Sequence, residues 1–343
     1  MEPRSAQLGR ISPGCSICRT VALLTLGVAL TGCGVADLPD WSTVQPASDM
    51  GRSILDLYKI VLWWTGGIFV VVELLLVYAL IRYRRRPDDT GVPDQVHGFT
   101  ALEISWTLVP AAILFFIAIP TVRTIFDVQR PPPADAIEIA VTGHQWWWEF
   151  EYPDLGIRTA NELHIPVGRA ASLTLTSADV IHSFWVPRLG GKRDLNPGSE
   201  NQLWFTPDSV GVFDGQCAEL CGTSHANMRL RVFVETAGSF DAWVDQQLQP
   251  AVEDSVGVQV FLASGCVACH AIAGTPAQGK IGPDLTKFGS RSTIAAGILA
   301  NEPDELAAWL RNPERVKPGS RMPNLNLSEE RIASLVAYLG SLR

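Results

Sequence analysis

Positive charge is in short supply in this chain. Lys and Arg number 27 against 35 Asp and Glu, a net charge of −8, and an acidic balance of that size argues against a nucleic-acid partner. Charged residues of both signs make up only 18% of the 343 residues and apolar ones 47%, which excludes a disordered, solvated polymer and leaves room for membrane segments. The seven cysteines are too few and too scattered for a small disulfide scaffold. Cys15, Cys18 and Cys33 lie near the N-terminus, Cys217 and Cys221 in the middle, Cys266 and Cys269 late. Histidine (6) and methionine (4) are rarer still. Several of them nevertheless stand close to the last four cysteines, which turns the question from crosslinks to metals. The length fits roughly two globular units plus additional segments.

Arg4, Arg10 and Arg19 precede an apolar run from Val21 to Leu30, shorter than the roughly 20 residues needed to cross a bilayer and built like a secretory signal. The run ends Leu30-Thr31-Gly32-Cys33, which resembles a bacterial lipoprotein box. Residues 1–32 are then a signal peptide, cleaved ahead of a lipid on Cys33, and 33–59 an external N-terminal segment; ordinary cleavage nearby with Cys33 unmodified is the alternative. No His follows Cys18, so the first CxxC is not a haem site. Two longer apolar stretches predict transmembrane helices at 60–82 and 104–126. The loop between them, 83–103, carries Arg84, Arg85 and Arg86 directly after Arg82, and a Lys/Arg excess marks the cytoplasmic side. The hairpin therefore delivers everything after Phe126 to the outer compartment, and its Pro110 and Pro120 are tolerable in membrane helices. Glu73, inside the first span, is a candidate for function or for a protonated contact with a neighbouring subunit. Trp63 and Trp64 suit an interfacial aromatic belt.

Pro131-Pro132-Pro133 marks a linker, and after it the texture becomes period-two: Ile137, Ile139, Val141; Leu173, Leu175; Leu230, Val232, Val234. Such runs, broken by Gly and Pro turns, indicate a β-sandwich or barrel at 135–248. Two segments carry chemistry, His182-Ser183-Phe184-Trp185 and the stretch from Cys217 to Met228 that contains Cys221 and His225. Soft thiolates and a thioether with imidazoles suit copper, and there is one Cys too many for a mononuclear blue site. Two cysteines four apart can bridge two coppers, each taking one imidazole and one weak axial donor. Met228 supplies one such donor, and a backbone carbonyl such as that of Glu219 can supply the other. A Cys217–Cys221 disulfide and a Cys2His2 zinc site use the same residues; Met228 and the upstream His182 favour copper over both.

These segments resemble the binuclear copper A motif of cytochrome c oxidase subunit II, over about Leu57 to Leu248. The resemblance implies a two-helix hairpin carrying an all-β cupredoxin barrel, with copper ligands His182, Cys217, Glu219 through its carbonyl, Cys221, His225 and Met228. It also implies a magnesium ion shared with subunit I and reached by the Glu219 carboxylate. Gly143-His144-Gln145-Trp146-Trp147-Trp148 is similar to the family segment whose first Trp faces the incoming donor, which makes Trp146 the point where electrons are received; taken alone, a Trp run more often serves packing. Leu102-Glu103-Ile104-Ser105-Trp106-Thr107 resembles the mouth of a proton channel, so Glu103 admits protons from the cytoplasm; read by itself it is a solvated carboxylate favoured by a helix N-terminus.

The last unit, 255–343, follows a short polar stretch around Pro250 to Ser255. Cys266-Val267-Ala268-Cys269-His270 is a c-type haem attachment sequence, with the thiols bonding the haem covalently and His270 placed under the iron. A His/Met pair raises a haem potential into the carrier range, and Met322 is the only methionine of this unit. Gly282-Pro283-Asp284-Leu285 resembles the cytochrome c segment beside the proximal His, which implies an all-α class I cytochrome c domain. Ile332, Leu335, Val336 and Leu339 form the core stripe of a last helix capped by Ser328, and Pro303, Asp304 and Glu305 open another.

A fused cytochrome makes the whole chain resemble subunit II of a caa3-type oxidase, a multidomain membrane protein. That resemblance implies the electron-input subunit of a proton-pumping haem-copper oxygen reductase. Its partners would be oxidase subunits I and III, membrane lipids, and an upstream donor such as a cytochrome bc complex or cytochrome c. It would sit in a bacterial plasma membrane with both soluble domains on the outer face. Only His97, His144 and His164 remain unassigned, too few for the oxygen-reducing site, which falls to subunit I. The copper subunit of a nitric-oxide reductase and a membrane-anchored copper-delivery or thiol-redox protein are the competing functions; a quinol oxidase would lack the copper cysteines. Residues 135–254 hold 7 basic and 17 acidic residues and 255–343 hold 9 and 7, so the haem unit is attracted to the copper unit, and a short tether concentrates it further.

Overall fold

A computed structural model describes residues 41–85, 91–92, 95, 97–250 and 255–343. The signal and lipoprotein segment with Cys15, Cys18 and Cys33, the stretch from Arg86 into the loop, and linker residues 251–254 lie outside the described residues.

Two long helices come first, α1 (Asp49–Arg82) and α2 (Thr100–Val128). Both are long and apolar enough to cross a membrane, and they pack along each other with the Trp64 and Phe116 rings stacked at 6.3 Å. Helix α1 starts well before the apolar run because its first turn is bonded to the domain that follows. Ser48 caps it, accepting from the Gly51 N–H at 2.9 Å and donating to the Leu189 carbonyl at 2.6 Å. Asp49 Oδ1 accepts from the Thr206 N–H at 2.8 Å. The exit of α2 is tied in the same way, by Trp204 Nε1 donating to the Arg130 carbonyl at 2.7 Å. The hairpin is thus fastened to the β domain at both outer ends.

That domain contains strands β1 (Ile137–His144), β2 (Trp147–Tyr152), β3 (Ile157–Ala160), β4 (Glu162–Pro166), β5 (Ala171–Ser177), β6 (His182–Trp185), β7 (Arg193–Leu195), β8 (Asn201–Phe205), β9 (Gly211–Cys217) and β10 (Arg229–Glu235). They form two five-stranded sheets, β3-β2-β1-β5-β8 and β4-β10-β9-β6-β7. Alternation explains the sandwich: Ile137, Ile139 and Val141 of β1 are buried between partly or fully exposed neighbours, as a half-buried strand requires. Trp148, Phe150, Leu163, Ile165, Leu173, Leu175 and Phe184 fill the space between the sheets. Helix α3 (Ala237–Leu248) closes one end, with Trp243 stacked 4.5 Å from His164, whose other face lies 4.6 Å from Phe233. His164 is therefore a packed core residue.

The C-terminal domain has α4 (Ser255–Ala263), a 3-10 turn Cys266–Ala268, the hairpin β11 (Thr293–Ile294) and β12 (Leu299–Ala300), α5 (Pro303–Arg311), α6 (Pro313–Val316) and α7 (Glu329–Ser341). Pro303 opens α5 with Asp304 and Glu305 in its first turn, and Ser328 caps α7 by accepting from the Arg331 N–H. Helix α7 buries Ile332, Leu335, Tyr338 and Leu339. Val336 lies at the edge of the stripe, partly buried; Tyr338 takes the central place because α4 crosses at Gly257, where a Cβ would stand 2.5 Å from that of Tyr338. The β11–β12 hairpin is an addition to the helices.

Candidate copper and haem sites

The loop between β9 and β10 gathers the first cluster. Cys217 ends β9 and Met228 stands just before β10, and the Cys217 N–H donates to the Met228 carbonyl at 2.9 Å, closing the loop at its base. Strand β6 pairs with β9 so that Phe184 faces Cys217, which brings His182 alongside the loop. The His182 Nδ1 lies 3.9 Å from Cys217 Sγ, and the two Sγ atoms lie 3.7 Å apart with both thiols free. Cys221 Sγ is 3.5 Å from His225 Nδ1 and 3.9 Å from Met228 Sδ, and Cys217 Sγ is 3.2 Å from the Glu219 carbonyl oxygen. All six residues singled out in the sequence thus converge, mostly out of water: His182, Cys217, Cys221 and Met228 are buried. The Glu219 carboxylate is on the exposed side, beside Leu220.

Electrostatics favour one deprotonated sulfur of the pair. The Cys217 thiol is held well below the usual range, first by its hydrogen bond with Cys221, against the opposing pull of burial, and then by His182; Cys221 is pushed up in turn. His182 is oriented by Asp179, whose Oδ1 lies 2.8 Å from Nε2. With Nε2 occupied, Nδ1 is the nitrogen that faces the sulfurs, the arrangement by which a carboxylate sets a ligand imidazole. Although burial opposes it, bonds from His182, Gln145 and Val180 bring the Asp179 carboxyl down to about 2.

Trp146 is buried against this loop. Its Nε1 donates to the Cys221 carbonyl at 3.1 Å, and Gln145 Nε2 donates to the same oxygen at 2.8 Å. The other side of Trp146 walls a cleft of about 1470 Å³, counted out to its open mouth. Cys266, Cys269, His270 and Met322 line that cleft from the C-terminal domain; His144, Gln145 and Trp147 join Trp146 on the β-domain wall. His270 Nδ1 donates to the Pro283 carbonyl at 2.7 Å, so Nε2 is left for a metal. Burial lowers the His270 pKa, which suits a neutral imidazole ligand.

Glu103 stands apart from both clusters, exposed in the first turn of α2. Glu73, the candidate of the first span, is exposed within α1, and the unassigned His144 stacks on Trp147 at 4.1 Å. Three residues with roles at the sites carry no sequence motif. Asp179 has only its three-residue spacing from His182 as a signal. Arg291 is a half-buried cation in the cleft wall that donates to the Asp284 carbonyl at 2.5 Å, while its buried Nε has no partner among the described residues. Lys317, also in the wall, is pushed down to about 7 by burial, the nearby Cys221 opposing that shift.

The chain matches three family descriptions in succession: Cytochrome C oxidase subunit II, transmembrane domain, over residues 42–124; Cytochrome C oxidase subunit II, periplasmic domain, over 155–235; and Cytochrome c over 255–343. It is 39% identical over 337 residues to cytochrome c oxidase subunit 2 of Alkalihalophilus pseudofirmus, covering 95% of this chain and 97% of that protein. It is 40% identical over 343 residues to cytochrome c oxidase subunit 2 of Bacillus strain PS3, covering 93% and 95%. The crystal structure of the periplasmic domain of subunit II of cytochrome oxidase of Bradyrhizobium japonicum aligns with 34% identity and a TM-score of 0.33, covering 34% of this chain and 96% of that one. Two helices able to cross a membrane, a β domain of the periplasmic type and a terminal haem-type domain thus agree with the matches at every segment, and the chain belongs to the cytochrome c oxidase subunit II family, in a form that carries a cytochrome c domain.

Proposed function

We propose that this chain receives electrons on its cytochrome domain and passes them through Trp146 to its copper domain, for use by an oxygen-reducing partner. One observation carries the reading. The Trp146 indole walls the cleft that holds the haem-attachment residues and also donates to the carbonyl of Cys221, so a single buried side chain joins the two sites.

The residues fit the groups that the family implies. Two free thiols, two imidazole nitrogens, a thioether and a carbonyl are a softer and larger set than tetrahedral zinc takes, and His182, Cys217, Glu219 through its carbonyl, Cys221, His225 and Met228 would hold binuclear copper A. In the cleft, Cys266 and Cys269 would bond haem c, and His270 and Met322 would hold its iron; the buried, unpartnered Nε of Arg291 suits an acidic group of the ligand. When bound, the two groups would supply one-electron carriers. The chain's own residues do the positioning: Asp179 fixes the His182 ring, the Pro283 carbonyl fixes His270, and the hydrogen bond to Cys221 fixes Trp146.

The exposed Glu219 carboxylate is available to a magnesium ion shared with subunit I, and Glu103, at the cytoplasmic start of α2, to proton uptake. The same reading assigns subunits I and III as partners in a proton-translocating assembly. It takes a cytochrome bc complex or cytochrome c as donor, and sets the chain in a bacterial plasma membrane with Cys33 lipidated. Stopped-flow reduction of the Trp146→Ala assembly tests the route: fast haem reduction with slowed copper reduction is expected, and unchanged copper kinetics refute it.

A further inference from the structure

Glu162, the first residue of β4, is 3% exposed, yet no Lys or Arg hydrogen-bonds it among the described residues. Its carboxylate is filled by neutral donors from the cytochrome domain. Oε1 accepts from the Ser292 N–H at 2.9 Å, the Ser292 hydroxyl at 2.7 Å, and the Thr293 N–H and hydroxyl at 2.9 Å each; Oε2 accepts from the Ser292 N–H at 3.1 Å. A buried carboxylate is expensive unless it is saturated in this way, so the copper domain is shaped to receive this segment.

The hairpin tip that follows is strained and bound in the same place. Ala295 and Ala296 both have left-handed backbones, with φ of 54° and 65°, a conformation that non-glycine residues keep only where their surroundings over-determine it. The Ala296 carbonyl is used across the interface, accepting from the Arg229 N–H at 3.1 Å, and the Ala295 carbonyl accepts from Lys317 Nζ of the same domain at 2.9 Å. Lys317 is 5% exposed, and its Nζ also donates to the carbonyl of Trp146 at 2.6 Å. Beyond it the loop lies on the copper loop itself. Ser224 donates to the Pro318 carbonyl, Arg321 donates to Gln145 Oε1 at 2.5 Å, and Gly319, with φ of +80°, passes so close that a Cβ there would meet the Trp146 ring at 2.8 Å.

We propose that Glu162 and Lys317 hold the cytochrome domain in one fixed seat on the copper domain, so that it works as a docked relay and not as a mobile carrier on a tether. This rests on the electron route proposed above only for its purpose; the seat itself is a matter of contacts. Glu162 is one anchor, on the hairpin side, and Lys317 the other, against Trp146, and together they keep the haem-attachment cleft facing that indole.

Hydrogen–deuterium exchange on the purified oxidase assembly, read on peptides covering Ser292 to Ala300, tests the seat. Slow exchange is expected in the unmodified chain. In Glu162→Ala it should quicken about tenfold or more, the loss expected when hydrogen bonds to a charged acceptor are removed. Ser292→Ala with Thr293→Val, which leaves the copper domain untouched, should act in the same direction, with both chromophores retained. Exchange that is already fast in the unmodified chain, or that neither variant alters, overturns the seat. The haem-to-copper transfer rate, followed after flash reduction at rising viscosity, is the second readout: independent of viscosity in the seated protein, slower and viscosity-dependent in the variants. Viscosity dependence in the unmodified chain also overturns the proposal. Exchange that responds as expected while Trp146→Ala leaves copper reduction unchanged supports the seat and removes the Trp146 route instead, so the two readings fail separately.

Discussion

Replacing Asp179 with asparagine removes one charge and alters little else in shape. This carboxylate accepts three bonds of 2.8 Å, from His182 Nε2, the Val180 N–H and the Gln145 N–H. It is drawn down to about 2 from an ordinary 3.8, and its side chain is 13% exposed, so the shift is not dissipated in solvent. A depression of nearly two pH units corresponds to about 2 kcal/mol favouring the ionised form. The amide of Asp179→Asn imitates the neutral form, and the metal-free copper domain should lose about that much stability at neutral pH. An amide also cannot accept on both arms, so either Gln145 or His182 loses its partner. A misdirected His182 should weaken copper binding by about 10- to 100-fold, as is usual when the partner of a ligand imidazole is lost. Competitive chelator titration of the purified chain measures the affinity, and denaturant melts of the metal-free form measure the stability. Wild-type copper affinity in Asp179→Asn would refute the claim that this carboxylate aims the ring.

Further outcomes follow from local geometry. Glu149 is buried, which raises its pKa, but His144 and Arg158 beside it prevail and bring it below its ordinary 4.5. A carboxylate depressed in the folded state stabilises it above about pH 4.5, and that contribution disappears as the pH falls through the lowered value; denaturation midpoints should drop there, and should drop less in Glu149→Gln. Gly257→Ala puts a methyl 2.5 Å from the Tyr338 Cβ, so α4 and α7 must separate, at a cost of about 1–3 kcal/mol. The melting of the haem-containing domain should shift accordingly, with the copper signal unmoved.

The chemistry proposed for this chain can be read along its sequence because the candidate ligands are held in short windows. Cys217, Cys221, His225 and Met228 lie within one loop, and Cys266, Cys269 and His270 within one turn, so local spacing places these donors before any tertiary contact is known. The hairpin is equally plain, since length and apolar content fix a membrane helix. The helix start is less plain: α1 extends back to Asp49 because Ser48 and Asp49 find partners on the β domain at Leu189 and Thr206. The stripe of α7 shows the same limit on a smaller scale, with Tyr338 central and Val336 at the edge because of where α4 crosses.

The relation between the two soluble domains shows the limit most clearly. Opposite net charges lead one to expect an electrostatic attraction, and Arg321 does lie 3.6 Å from Asp179 across the interface; the contacts add specific hydrogen bonds, centred on a carboxylate that takes hydroxyl and amide donors. In the sequence Glu162 is one acidic strand residue among many, and Lys317 and Asp179 belong to no motif. The partners of Glu162 and Lys317 lie far along the chain, Ser292 being 130 positions from Glu162 and Trp146 171 positions from Lys317. The sequence by itself determined which groups this protein can hold, because donor identity and short-range spacing are covalent facts. Only the tertiary structure decided how the two sites face each other, because burial, ring orientation and the satisfaction of a buried charge exist only once distant segments have packed.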